Sequence, residues 1–168
     1  MHRSVPALLT AAALVLAVGA PAEAKSKSFR DKRGDVASTN DVLRTKVANG
    51  RRIGVRIKHV DLRRDVSDVQ FKVQSRGSDA EYVVFAAVDG SYAQVIDFNE
   101  APTTRECPGL RVSASVRKDV TKLSVPRTCV GNPSGAVRLS PRVQWSDDGS
   151  LGDWSINGND HFTPYIKR

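Results

Sequence analysis

The sequence predicts an all-β protein with an antiparallel, jelly-roll-like β-sandwich, and three observations support this fold class. Apolar and polar residues alternate over many short segments, which is the period of half-buried strands and gives roughly eight or nine strands. Asn49-Gly50 and Asp89-Gly90 lie between such segments, where tight hairpin turns are expected. The two cysteines, Cys107 and Cys129, flank one further pair of alternating segments. A helical period is not found.

The first 24 residues have the pattern of a signal peptide. A short basic start is followed by an apolar run from Ala7 to Ala20 and by Ala22-Glu23-Ala24, which resembles a signal peptidase site. The alternative is a membrane anchor, but the run is shorter than the ~20 residues that a spanning helix needs. We therefore predict cleavage after Ala24 and a secreted, extracellular chain with no transmembrane segment. Residues 25–40 are predicted to be a loose, polar and basic leader, and residues 41–168 a single sandwich domain.

The first predicted elements form a hairpin over residues 41–60. Leu43, Thr45 and Val47 alternate with basic residues before Asn49-Gly50, whose two residues tolerate the positive φ of a type I′ turn. Ile53, Val55, Ile57 and His59 then alternate with Arg52, Gly54, Arg56 and Lys58 on the returning strand. One face of this hairpin is apolar and the other is strongly basic.

The remaining strands follow at even spacing. Residues 69–73 alternate, residues 81–88 are apolar on both faces as in a central strand, and residues 91–98 return after Asp89-Gly90. Residues 136–145 form the last long strand, before a glycine-rich acidic loop and a short closing strand near Ile166.

The segment between the cysteines is predicted to be a second hairpin. Leu110, Val112 and Ala114 share one face, and a polar break at Lys118-Asp119 precedes the returning strand. In an exported chain the two cysteines are expected to form a disulfide rather than remain free thiols. The link would close a loop of 22 residues and stabilise the fold by about 3 kcal/mol in the chain-entropy model.

The chain is basic, with 26 Lys and Arg against 18 Asp and Glu and a net charge of +8. Arg52, Arg56 and Lys58 share one face of their strand, so they form a basic stripe that is a candidate site for anionic groups. The alternative is that these charges only protect an edge from pairing with other strands.

Acidic residues form the second candidate site. Asp31, Asp35 and Asp41 precede the first strand, and the last long loop contains further Asp and Asn residues, among them Asp153 and Asp160. Hard oxygen ligands of this kind suit Ca²⁺, and Asp31, Asp35 and Asp160 are predicted as its ligands if the two segments meet at one end of the sandwich. The alternative is ordinary turn chemistry.

The remaining candidates are aromatic or catalytic. Trp154 lies in the glycine-rich loop ahead of Phe162 and Tyr165, an arrangement that suits stacking on a sugar ring or pinning of the loop to the core. The sequence has no G-x-S-x-G, P-loop or H-E-x-x-H motif. We therefore predict a non-enzyme. A hydrolase that uses His59 or His161 is a third hypothesis, and His59 is expected to be a packed core histidine.

Some of these motifs resemble those of a known group of proteins. The motifs follow in the order Asp31-x-x-Gly34-Asp35, Asp41-Val42, the basic hairpin, and the Cys107 and Cys129 pair in its C-P-G-L and C-V-G-N-P contexts. This order resembles that of a group of small exported β proteins of actinobacteria. More remotely, the acidic leader before a strand-rich domain is similar to the DOMON and family 9 carbohydrate-binding sandwiches. That similarity implies a jelly-roll-like sandwich with a structural calcium near Asp31 and Asp35.

Taken together, these features predict a secreted, monomeric binding module without catalytic activity. The expected partner is an extracellular glycan or an anionic cell-wall polymer, and specific nucleic-acid binding is not expected because no aromatic residues interleave the basic stripe. The alternative is a structural or protein-interaction domain that takes no small ligand.

Overall fold

A computed structural model describes residues 25–35, 41–63, 67–99, 101–145, 153–154 and 161–168. The predicted signal peptide lies outside these residues. Eleven strands are present in the described part of the chain: β1 (Lys25–Arg30), β2 (Val42–Asn49), β3 (Arg52–His59), β4 (Ser67–Ser75), β5 (Glu81–Ala87), β6 (Ala93–Asp97), β7 (Thr103–Arg105), β8 (Arg111–Ser115), β9 (Val120–Pro126), β10 (Val137–Trp145) and β11 (Asp153–Trp154). No helix among these residues is long and apolar enough to cross a bilayer.

The strands form two antiparallel sheets, which confirms the predicted all-β sandwich. The five-stranded sheet has the order β1-β2-β3-β9-β8, and the six-stranded sheet has the order β11-β10-β4-β5-β6-β7. β5, which the sequence predicted as a central strand, lies between β4 and β6.

The core lies between the sheets and is built from the alternating apolar residues. Ile53, Ile57 and Leu123 enter it from the five-stranded sheet, and Phe71 and Leu139 enter it from the six-stranded sheet. All five are essentially inaccessible to solvent. Each such side chain contributes about 1.5–3 kcal/mol through burial, so the alternation fixes the faces of both sheets.

Residues 25–30 are an edge strand, which differs from the predicted loose leader. β1 pairs antiparallel with β2 from Lys25 opposite Asn49 to Arg30 opposite Arg44. Backbone pairing with an otherwise open edge of β2 orders this segment, and Phe29 packs against the core. The sandwich therefore begins before residue 41.

The hairpin of β2 and β3 turns where the sequence predicted, but not in a type I′ turn. Neither Asn49 nor Gly50 has a positive φ, and Asn49 is the last residue of β2. Its buried side-chain amide donates to the carbonyls of Ile166, at 2.8 Å, and Gly135, and its carbonyl oxygen accepts from Arg127. Asn49 thus ties the hairpin to the end of the chain, a tertiary role that local turn statistics do not report.

The disulfide between Cys107 and Cys129 is present, with the two Cα atoms 5.5 Å apart. It joins the approach to β8 to the 3₁₀ turn at Arg127–Val130 that follows β9. β8 is an edge strand of the five-stranded sheet. The covalent link therefore holds an edge in place.

Candidate functional site

The outer face of the five-stranded sheet carries a concentration of positive charge. Strand register places Lys46 of β2, Arg56 of β3 and Lys122 of β9 directly opposite one another on three adjacent strands. In the next row Arg30 lies opposite Arg44, and Arg44 lies opposite Lys58. We call these six residues the basic face: Arg30, Arg44, Lys46, Arg56, Lys58 and Lys122.

Most of these cations have no neutralising partner in the part of the chain that the structure describes. Among the described residues, Arg44, Lys46, Arg56 and Lys122 are exposed and form neither an ion pair nor a side-chain hydrogen bond. Like charges directly opposite on neighbouring strands are destabilising, each pair by a few tenths of a kcal/mol. The repulsion between these charges therefore lowers the stability of the fold rather than raising it.

Two of the three predicted stripe residues also have structural contacts. Arg52 donates from Nε to the hydroxyl of Ser124 at 2.8 Å and from Nη2 to the carbonyls of Ser124 and Gly109, both at 2.6 Å. Lys58 donates to the carboxylate of Asp119 at 3.1 Å and to the carbonyl of Lys118. Arg56 alone of the three is exposed without such contacts, so the stripe is better described by the wider basic face.

The basic face is concave. A hollow of about 630 Å³ is lined by Arg30, Arg44, Lys46, Arg56 and Lys58 together with Ser28, Asp31, Leu43 and Val120. A second hollow of about 240 Å³ shares Arg56 and Val120 with the first and extends toward Lys122 and Ser113. The two hollows adjoin along the sheet, so they suit an extended ligand better than a compact one.

A group of three carboxylates lies where the start of β2 meets β11. Asp35, Asp41 and Asp153 each contribute a carboxylate oxygen, and these oxygens lie within 4.8 Å of one another. We call these residues the acidic cluster. Asp35 is exposed, whereas Asp41 and Asp153 are 2% and 5% exposed.

Backbone amides hold the two buried carboxylates in place. Asp41 accepts a hydrogen bond from the amide of Gly34 at 2.7 Å, in a turn where Gly34 has a φ of 82°. Asp153 accepts from the amide of Val42 at 2.8 Å. Burial, and then repulsion from Asp31, Asp35 and Asp41, raise the pKa of Asp153 to about 7 against the effect of the Val42 amide.

The acidic cluster corresponds only in part to the predicted calcium ligands. Of Asp31, Asp35 and Asp160, the structure places Asp35 in the cluster, and Asp31 lies close enough to raise the pKa of Asp153. Asp160 lies outside the described residues. Asp153 of the final loop does reach the start of β2, where the pairing of β11 with β10 places it.

Phe162 and Tyr165, two rings of the predicted aromatic platform, each lie beside an arginine. The guanidinium of Arg138 lies 4.5 Å from the ring centre of Phe162, and that of Arg76 lies 5.2 Å from the ring centre of Tyr165. Both rings are half-buried. The backbone of Trp154 belongs to β11, and its side chain lies outside the described part of the structure.

His59 is a core histidine, as the sequence suggested. It is fully buried, and its Nε2 lies 3.0 Å from the hydroxyl of Thr121. Burial lowers the pKa of His59 to about 4; the nearby Asp119 raises it and Lys58 lowers it further, both to a lesser extent. The ring is therefore neutral at physiological pH.

Sequence reasoning missed Arg30 and Lys122 as members of the basic face. Both lie outside the 41–60 hairpin, and the β1–β2 and β3–β9 registers bring them to it. Lys122 directly precedes the core residue Leu123, so the sequence predicted that its side chain points outward. The sequence did not predict which residues of the neighbouring strands lie beside it.

No protein-family model matches this chain, and no curated protein matches it.

Proposed function

We propose that this protein is a secreted, non-enzymatic module that binds a linear anionic polymer outside the cell, such as an anionic wall polymer or an acidic glycan, through its basic face. The observation that carries the proposal is the row Lys46, Arg56 and Lys122, three cations directly opposite one another on adjacent strands. A fold without an anionic ligand gains nothing from this row, whereas a bound polyanion converts the repulsion into attraction.

The shape of the surface supports a polymer rather than a small anion. The two adjoining hollows run across all five strands of the sheet and are lined by side chains with many hydrogen-bond donors. Arginine and lysine at such positions bind phosphate, sulfate and carboxylate groups, and counterion release from the polymer contributes to affinity. The predicted signal peptide and the disulfide support a place outside the cell.

The test compares two triple variants of equal charge. Lys46→Gln/Arg56→Gln/Lys122→Gln removes the central row, and Arg63→Gln/Arg76→Gln/Lys167→Gln removes three exposed cations that lie off the basic face. Binding to dextran sulfate and to polygalacturonate is measured by isothermal titration calorimetry over a series of salt concentrations, with neutral dextran as the ligand control.

We expect the first variant to lose at least tenfold in affinity at low salt, and the slope of log K against log salt to fall in magnitude by about 2. The second variant should bind nearly as the unmodified protein does. The proposal fails if the folded protein does not bind either polyanion at low salt, or if the two variants lose affinity equally. The remaining hypothesis would then be a structural or protein-interaction domain.

A further inference from the structure

We propose that the acidic cluster is a calcium site, formed by Asp35, Asp41 and Asp153 at the end of the sandwich where the start of β2 meets β11. This inference does not depend on the polyanion function, because it concerns different residues and a ligand of opposite charge.

The spacing of the carboxylates fits one cation. Calcium binds oxygen at 2.3–2.6 Å, so two of its ligands lie at most about 5 Å apart. The cluster oxygens lie within 4.8 Å of one another, which lets a single ion contact all three. The cluster contains neither sulfur nor imidazole, and such a hard oxygen set selects calcium or magnesium rather than zinc.

An independent observation concerns Asp41. Its Oδ2 accepts from the Gly34 amide, but its Oδ1 is buried and has no hydrogen-bond partner among the described residues. The residue as a whole is 2% exposed. A buried carboxylate oxygen without a partner is strongly destabilising, and a bound cation is the partner that its charge requires.

The surrounding geometry favours calcium over magnesium. Asp41 and Asp153 are fixed by the amides of Gly34 and Val42, whereas Asp35 is exposed at the end of a turn, where water reaches it. Calcium accepts such irregular sets and completes its shell with backbone carbonyls and water, while magnesium demands a nearly octahedral one. Extracellular sites of this type bind calcium at about 10⁻⁴–10⁻³ M.

The experiment uses the purified chain after treatment with EDTA. Calorimetric titration with CaCl₂ should give a single site, and about 10 mM CaCl₂ should raise the Tm by roughly 3 °C or more. Magnesium at the same concentration should raise the Tm by less. Absence of binding heat together with an unchanged Tm would overturn the proposal, as would an equal shift with magnesium.

Two variants distinguish a carboxylate that binds calcium from one that only supports the fold. Asp153→Asn keeps an oxygen that can accept from the Val42 amide but removes the charge, so in EDTA it should melt at or above the unmodified protein because repulsion within the cluster is relieved. It should lose the calcium-induced shift. Asp79→Asn, at an exposed aspartate outside the cluster, should keep that shift.

If Asp153→Asn fails to fold, Asp35→Asn supplies the same comparison at an exposed position. A variant of either cluster residue that still responds to calcium as the unmodified protein does would place the bound ion elsewhere and overturn the proposal.

Discussion

His59 illustrates how burial changes the chemistry of a single residue. Its position on the apolar side of β3 was readable from alternation, and its contact with Thr121 follows from the register of β3 with β9. The same burial makes the stability of the fold sensitive to pH, because the pKa of His59 is about 4 in the folded protein and near its usual value in the unfolded chain.

We predict that acid weakens the fold through this residue. The pKa of His59 is about 4 in the folded protein and near 6.5 when unfolded, so between these values the unfolded state binds a proton that the folded state does not. The contribution of His59 to stability is complete above pH 6.5 and falls by about 3 kcal/mol as the pH approaches 4. Urea unfolding of the unmodified protein and of His59→Gln over this range measures it. The variant should show a smaller dependence on pH, and an identical dependence in both would contradict the prediction.

The carboxylates show what residue-level reasoning could not reach. Asp35 was predicted as a ligand, and both Asp41 and Asp153 were among the acidic candidates, because loops rich in Asp, Asn and Gly were recognisable in the sequence. Which carboxylates converge depends on the amides of Gly34 and Val42 and on the position of β11, and these are tertiary facts. Asp153 had no local signal that set it apart from the other acidic residues of the last loop.

At the scale of the element, long strands with one buried face were predictable, and short edge strands were not. β2, β3, β5 and β9 contain clear alternation or continuous apolar residues. β1, by contrast, reads K-S-K-S-F-R and buries little, so backbone pairing with β2, rather than its own side chains, makes it a strand. β7 and β11 contain three and two residues, too few for any period to be recognised.

The disulfide hairpin gives a prediction at this scale. Replacing both cysteines in Cys107→Ala/Cys129→Ala should lower the free energy of unfolding by about 3 kcal/mol, because the unfolded chain regains the entropy that a 22-residue loop removes. Urea denaturation under oxidising conditions measures the difference, and the unmodified protein with a reductant is the matched control. A loss below about 1 kcal/mol would show that packing of the hairpin of β8 and β9 suffices by itself.

At the scale of the whole molecule, charge is separated between the basic face and the acidic cluster. Asp31 links them, because it lines the larger hollow and also acts electrostatically on Asp153. The sequence predicted both the excess of positive charge and the acidic segments. The sequence could not predict that the basic face and the acidic cluster adjoin. Their proximity follows from the bulge between Val42 and Arg44 and from the hydrogen bond of the Asp31 amide to the Leu43 carbonyl at 3.2 Å.

If both proposals hold, calcium and polyanion should strengthen each other's binding. Neutralising the acidic cluster removes repulsion toward an anion in the hollow, so saturating calcium should raise affinity for polygalacturonate by about two- to fivefold at low salt. Titrations with and without calcium measure the change. Asp153→Asn serves as the control for calcium that binds the polymer itself, and an equal enhancement in that variant would rule out coupling through the site.

The register of the basic face also fixes the distances between its positive charges. Neighbouring strands lie roughly 4.8 Å apart, so Lys46, Arg56 and Lys122 repeat at that interval across the sheet, whereas Arg56 and Lys58 repeat at roughly 6.7 Å along a strand. A polymer with densely spaced anionic groups is therefore expected to cross the strands, and one with wider intervals to run parallel to them. The distance between charges on the ligand, more than their chemical identity, would then decide its orientation.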